Sequence, residues 1–370
     1  MLDTQEFGKF LRSMGLKNFV GVPCSYLAPL INDAINEHCF IMANNEGDAV
    51  AIASGISIGA GAKDSVFGAV LMQNSGLSNA LSPLTSLNHT FSIPILGFVS
   101  LRGERDCNGK NTDEPQHELL GVITDKLLHT CEITYMFLES SMQEAQAQVR
   151  EALKILNSNK SVFFIVRDKT FNQVALTHNP LEMEDCKDFK DFKELHYIEQ
   201  YHKGKDTKPS REEALRVIST LSLKAGAIVL ATTGKCGREL YEIGDYANQL
   251  YMVGSMGCVS SLGLGIALSS SHKVIAIDGD SALLMRLGAL STNAYYARNR
   301  DNFCHILLDN QSHDSTGGQF NLSPCVDFAQ IAAYCGYAFV YRATSLEDLK
   351  QYIESFLDST QKGAYFIYVD

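Results

Sequence analysis

The chain has 370 residues, about twice the size of a typical domain, so two hydrophobic cores are expected. Its composition, 45% hydrophobic and 20% charged, fits a folded globular protein and excludes a disordered one. With 31 basic against 42 acidic residues, the net charge of −11 excludes a general binder of nucleic acid or anionic membrane surface.

The first segment, MLDTQEFGKFLRSMG, carries Asp3, Glu6, Lys9 and Arg12 at helical spacing, which predicts a helix and no secretory signal core. Apolar runs rich in Val, Ile and Phe then predict strands over 18–22, 39–43, 66–72, 94–99, 133–137 and 162–167, each separated by a helix-period stretch. Residues 180–212 are charge-dense and poor in apolar periodicity, as expected of a linker with at most a short surface helix. Further strands are predicted over 227–232, 250–253, 274–277, 304–309, 338–342 and 364–369. Alternating β and α segments imply an α/β fold of two doubly wound parallel-sheet domains, 1–179 and 213–370, flanking the 180–212 linker. No apolar run reaches the roughly 18–20 residues a membrane span needs. The ten cysteines form no CxxC pair and sit mostly in apolar runs, as expected of reduced thiols in a cytoplasmic protein.

In doubly wound sheets, ligands sit at the carboxyl ends of the strands, so the residues that follow each predicted strand are the candidates. Ser25 follows the first and Glu46 the second, where it opens a small-residue helix; alone, such a Glu is also a plain dipole-complementing acid. A polar turn, Gln73 to Asn79 with Asn74 at its start, follows the third. After the fourth comes a loop with Arg102, Arg105, Lys110 and His117, a local basic cluster whose Arg forks suit an anionic substrate. In the second half, Asp278-Gly279-Asp280-Ser281 ends one strand and Asp309-Asn310 ends the next, one βαβ repeat later. That spacing brings Asp280 and Asn310 side by side, an oxygen pair suited to Mg2+ and, through it, a diphosphate. Asp280 alone is equally a helix N-cap. Gly263-Leu264-Gly265 lacks the third Gly of a dinucleotide fingerprint, which argues against a nicotinamide enzyme.

Together these residues resemble the thiamine-diphosphate enzymes, which carry a Gly-Asp-Gly signature and a paired Asn where this chain has Gly279-Asp280-Ser281 and Asp309-Asn310. The resemblance implies that Asp280, Asn310 and the Ser312 carbonyl ligate Mg2+, and that Thr233, Gly234, Gly279, Ser281, Ser255 and Asn74 line the cofactor site. It implies that Glu46 faces N1′ of the aminopyrimidine, so that the 4′-nitrogen can take the thiazolium C2 proton, and that Met256 props the cofactor between its rings. A core Met is the alternative for Met256. Longer stretches, GVPCSYLAPLIN at 21–32, DEPQH at 113–117, ATTGKCGREL at 231–240, YMVGSMG at 251–257 and LDNQSHDSTGGQ at 308–319, are similar to the phosphonopyruvate decarboxylases. Those enzymes, like the similar sulfopyruvate decarboxylases, lack a central third domain. What this resemblance implies is decarboxylation of 3-phosphonopyruvate to phosphonoacetaldehyde and CO2 in phosphonate biosynthesis. Ser25 and Arg102 would read the phosphonate, and Asp113 and His117 would border the reacting carbon as proton donors or orienters. A homo-oligomer, dimer or higher, with active sites at subunit boundaries is expected, and sulfopyruvate is the alternative substrate.

Overall fold

The computed structural model describes residues 1–60, 66–177, 196–198 and 208–369. The predicted linker therefore lies outside the described residues except for 196–198 and 208–212. By its own contacts the chain divides into two compact units, Met1–Met183 and Glu184–Asp370.

The first unit is built on six parallel strands: β1 Asn18–Gly21, β2 Phe40–Met42, β3 Gly68–Gln73, β4 Leu96–Ser100, β5 Thr134–Phe137 and β6 Val162–Val166, in the order β2-β1-β3-β4-β6-β5. The near-continuous apolar runs become the central strands: β4 and β6 are buried along their whole length, whereas the edge strand β5 is only partly covered. Phe7, Phe19, Phe98, Phe164 and Val149 form one continuous core under this sheet. The helix Glu46–Gly59 is capped by Asn45, whose side chain accepts from Gly47 N, and it is buried from Gly47 to Ile56. Its small residues let it lie close on the sheet: a Cβ added at Gly68 would stand 2.2 Å from the Ala53 carbonyl oxygen. The chain steps outward from β1 to β2 and then reverses to β3, so the topological switch falls between β1 and β3.

The second unit holds seven parallel strands: β7 His196–Ile198, β8 Ile228–Ala231, β9 Gln249–Tyr251, β10 Val274–Gly279, β11 Phe303–Leu308, and two more. A two-stranded hairpin of β12 Ser312–His313 and β13 Gln319–Phe320 intervenes before β14 Phe339–Ala343 and β15 Tyr365–Val369. The sheet order is β7-β14-β15-β11-β10-β8-β9, with the switch between β8 and β10. Every strand predicted from the sequence is present. The additions are the short β12–β13 hairpin and β7, which pairs in parallel with β14 from inside the expected linker; two or three residues are too few to show a period of two. The helix Arg211–Ala225 opens on a capping box between Ser210 and Glu213 and ends at Gly226, in the left-handed region at φ 67°. No helix among the described residues is long and apolar enough to cross a membrane, and the described cysteines are all free.

Candidate active site

In the second unit, β10 and β11 run in register with Gly279 opposite Leu308, which sets Asp280 beside Asp309. Both carboxylates, with Asn310, Ser312, Thr233 and Met256, line one cavity at the carboxyl ends of β8, β10 and β11. Asp280 is buried, and its Oδ1 accepts from Ser281 N at 2.6 Å. Ser323 reaches both acids, donating to Asp309 Oδ1 at 2.9 Å and lying 3.4 Å from Asp280 Oδ2. Tyr368 donates to Asp309 Oδ2 at 3.0 Å. Burial and then the neighbouring Asp280 push Asp309 up to about 6. Burial works against ionisation of Asp280 as well, but bonds from Asp309, Asn321 and Ser281 hold it below the usual carboxylate range. Two acids pressed together beside an amide and a backbone carbonyl make a set of hard oxygen donors with surplus negative charge, which fits a Mg2+-like ion. With its amide turned so that nitrogen and oxygen both find partners, Asn310 donates to the Ser312 carbonyl at 2.9 Å and accepts from Arg211 Nη1 at 3.3 Å.

Around this acid pair the other predicted residues take distinct places. Thr233 and Gly234, the latter at φ 93°, lead from β8 into the helix Lys235–Ile243, whose first N–H groups have no intrahelical acceptor. Ser255 is buried with φ 53°, a strained backbone for a residue other than Gly, and Gly257 follows at φ 81°. This turn lifts Met256 out of the core; the side chain is 52% exposed, which removes the core-Met alternative. Gly279 forms the last position of β10, and Ser281 accepts from Asn321 at 2.6 Å. Asp278 is fully buried and faces His305 at 3.5 Å. Asn321, Ser323 and Arg211 were not found from the sequence, because the first two reach the acids only when the β12–β13 hairpin folds back. Arg211 fell in the stretch read as linker.

In the first unit, the residues after β1, β2, β3 and β4 gather at one sheet edge. Glu46 is half-buried; its Oε2 accepts from Asn79 Nδ2 at 2.9 Å, and its carboxyl packs on Gly76, where a Cβ would stand 2.2 Å from Oε1. Asn74 is wholly buried: its side chain donates to the Arg102 carbonyl at 2.8 Å and to Thr124 at 3.1 Å, and its Oδ1 has no hydrogen-bond partner. Arg102 grips Asp113 through Nε and Nη2, both at 2.6 Å, and donates from Nη1 to Ser25 at 3.1 Å. Its guanidinium also lies 5.0 Å over the Tyr26 ring. Asp113 accepts further from Gly103 N at 3.0 Å and Glu114 N at 2.8 Å. The Arg102 fork, aided by those N–H groups, holds Asp113 far below the usual carboxylate range, and Asp113 in turn holds Arg102 further up. Of the two roles expected for Asp113, proton donor or orienter, this geometry favours the orienter, since its carboxylate is engaged by the Arg102 fork. His117 is buried, with Nε2 3.5 Å from Glu114 and Nδ1 without a hydrogen-bond partner.

Comparison with known proteins follows the same lines. Residues 232–369 match the family described as thiamine pyrophosphate enzyme, C-terminal TPP binding domain. The chain is 36% identical to a phosphonopyruvate decarboxylase of Streptomyces viridochromogenes, over 94% of this chain and 84% of that one. It is 28% identical to a sulfopyruvate decarboxylase of Methanosarcina acetivorans, over 94% of this chain and 85% of that one. In fold it is similar to the crystal structure of a benzoylformate decarboxylase from Polynucleobacter necessarius, with a TM-score of 0.68, 13% identity, and 100% of this chain and 98% of that one covered.

Proposed function

The chain belongs to the phosphonopyruvate decarboxylase family, and from that membership and the geometry of the site we propose that it converts 3-phosphonopyruvate to phosphonoacetaldehyde and CO2. It is a thiamine-diphosphate-dependent decarboxylase. The cavity that gathers Asp280, Asn310, Ser312, Thr233 and Met256 at one set of strand ends is the observation that supports this reading above all others. When bound, thiamine diphosphate supplies the nucleophile that adds to a 2-oxo carbon and the electron sink that lets CO2 leave.

The chain's own residues would do the rest. Asp280, the Asn310 amide oxygen and the Ser312 carbonyl would hold Mg2+, and Asp309 adds charge beside them. Thr233, Gly234, Gly279, Ser255 and Ser281 would border the cofactor, with Met256 as its apolar prop. Glu46 would hold and pass the proton at the aminopyrimidine ring, its Oε2 fixed by Asn79. Asp113 keeps the Arg102 fork in place, so the Nη1 edge shared with Ser25 is the part turned to a substrate anion. A dianion draws more from that edge than a monoanion does, which favours a phosphonate over a sulfonate. His117 is assigned the proton transfer at the reacting carbon. We assign the working form as a homo-oligomer, dimer or higher, with active sites at subunit boundaries; sedimentation of the cofactor-loaded protein tests it.

The deciding experiment incubates purified protein with Mg2+ and thiamine diphosphate and follows CO2 from phosphonopyruvate, sulfopyruvate and pyruvate separately. Phosphonopyruvate is expected to turn over fastest, and EDTA is expected to stop it. Faster release from sulfopyruvate would reassign the substrate.

A further inference from the structure

Arg211 opens the helix Arg211–Ala225, where the Ser210–Glu213 capping box fixes the first turn. Its guanidinium donates from Nε to Glu239 at 2.8 Å and from Nη2 to the other Glu239 oxygen at 2.6 Å. The same Nη2 reaches Asp314 at 2.9 Å, and Nη1 lies 3.3 Å from the Asn310 side-chain amide, whose oxygen faces it when the amide is turned so that its nitrogen meets the Ser312 carbonyl. Lys235 holds the second Asp314 oxygen at 2.8 Å. One planar fork thus joins two helices to the loop that follows β11.

The charges in this cluster cancel: Arg211 and Lys235 stand against Glu239 and Asp314. That balance argues against a free anion site and for a role in orientation. An amide oxygen has two lone pairs, so Asn310 can accept from Arg211 with one and leave the other for a cation. Asn310 itself is exposed, and apart from its bond to the Ser312 carbonyl the guanidinium is what fixes its rotamer. Lys cannot replace this fork, because a single ammonium cannot reach three acceptors in one plane.

We propose that Arg211 is a positioning residue that presents Asn310 and the 309–315 loop to the divalent cation. The proposal rests on reading the cavity as the metal and diphosphate site. Groups that orient metal ligands typically change affinity by about 10–100-fold when removed.

The test titrates Mn2+ into the full-length protein with saturating thiamine diphosphate, following free Mn2+ by electron paramagnetic resonance, in wild type, Arg211→Met, Arg211→Lys and Asp280→Asn. Both Arg211 variants are expected to weaken Mn2+ binding by about 10–100-fold while metal-free melting stays close to wild type, and kcat should return at saturating Mn2+. Wild-type Mn2+ affinity in either Arg211 variant would overturn the proposal, as would weakened binding that merely follows a lowered metal-free melting temperature. Absence of Mn2+ binding by wild type, or normal binding by Asp280→Asn, would instead overturn the reading of the cavity.

Discussion

At the scale of single residues, two contacts carry consequences that can be measured. Glu46 lies directly on Gly76, so Gly76→Ala would push a methyl group into the carboxyl rather than into the core. A displacement of about 1 Å at a catalytic group can cost 10²-fold, so kcat should fall by roughly 10–100-fold with little change in melting temperature. Steady-state kinetics beside a thermal melt would decide it, and a variant with full kcat would show that Glu46 tolerates the shift. Asp113 makes a different prediction. Its carboxyl is held below the unfolded value of roughly 4, so the stability it adds is complete above that pH and drains away as pH falls below it. Asp113→Asn should lose on the order of 2 kcal/mol at neutral pH, as expected for hydrogen bonds to a charged group. It should also flatten the acid limb of the stability curve, read from urea melts between pH 2 and 7. An unchanged acid limb would mean that other carboxylates set the acid sensitivity.

At the scale of elements, close packing of the helix Glu46–Gly59 on β3 depends on Gly68. Gly68→Ala would force the helix away from Ala53 by overpacking, at a cost of about 1–3 kcal/mol, and would carry Glu46 with it. Both stability and kcat should therefore drop together, unlike Gly76→Ala; a loss of stability alone would show that the helix start is held independently. The strands were legible because buried parallel strands write long apolar runs; Glu46, Asp280 and Asn310 could be picked as candidates because they stand just after such runs, whereas Met256 was picked only by the resemblance. Arg211, Asn321 and Ser323 were not. Their contacts depend on where a helix start and a hairpin return in space, and polar residues in loops carry no period that reports this. The clamp between Arg102 and Asp113 was hidden for the same reason: the sequence shows both charges in one loop but not that each is committed to the other.

At the scale of the whole molecule, the net charge of −11 sits uneasily with anionic ligands, and the fold answers locally, with cations and backbone N–H groups at strand ends. The two sheets share no strand, and each unit has its own apolar cluster, Phe19, Phe98 and Phe164 in the first and Ile275, Ile306 and Ile367 in the second. A segment of this size buries enough apolar surface to fold alone, since domains of about 150 residues already bury roughly two-thirds of the surface that their unfolded chains expose. Fragments 1–183 and 184–370, expressed separately, should therefore each give an α/β circular dichroism spectrum and a cooperative thermal transition. Under the proposed reading, in which Glu46 serves the cofactor, the second fragment should also bind Mn2+ in the presence of thiamine diphosphate more weakly than the whole chain. A broad, non-cooperative melt from either fragment would mean that its core is completed by the rest of the protein, and separate sheets would then be a poor guide to separate folding.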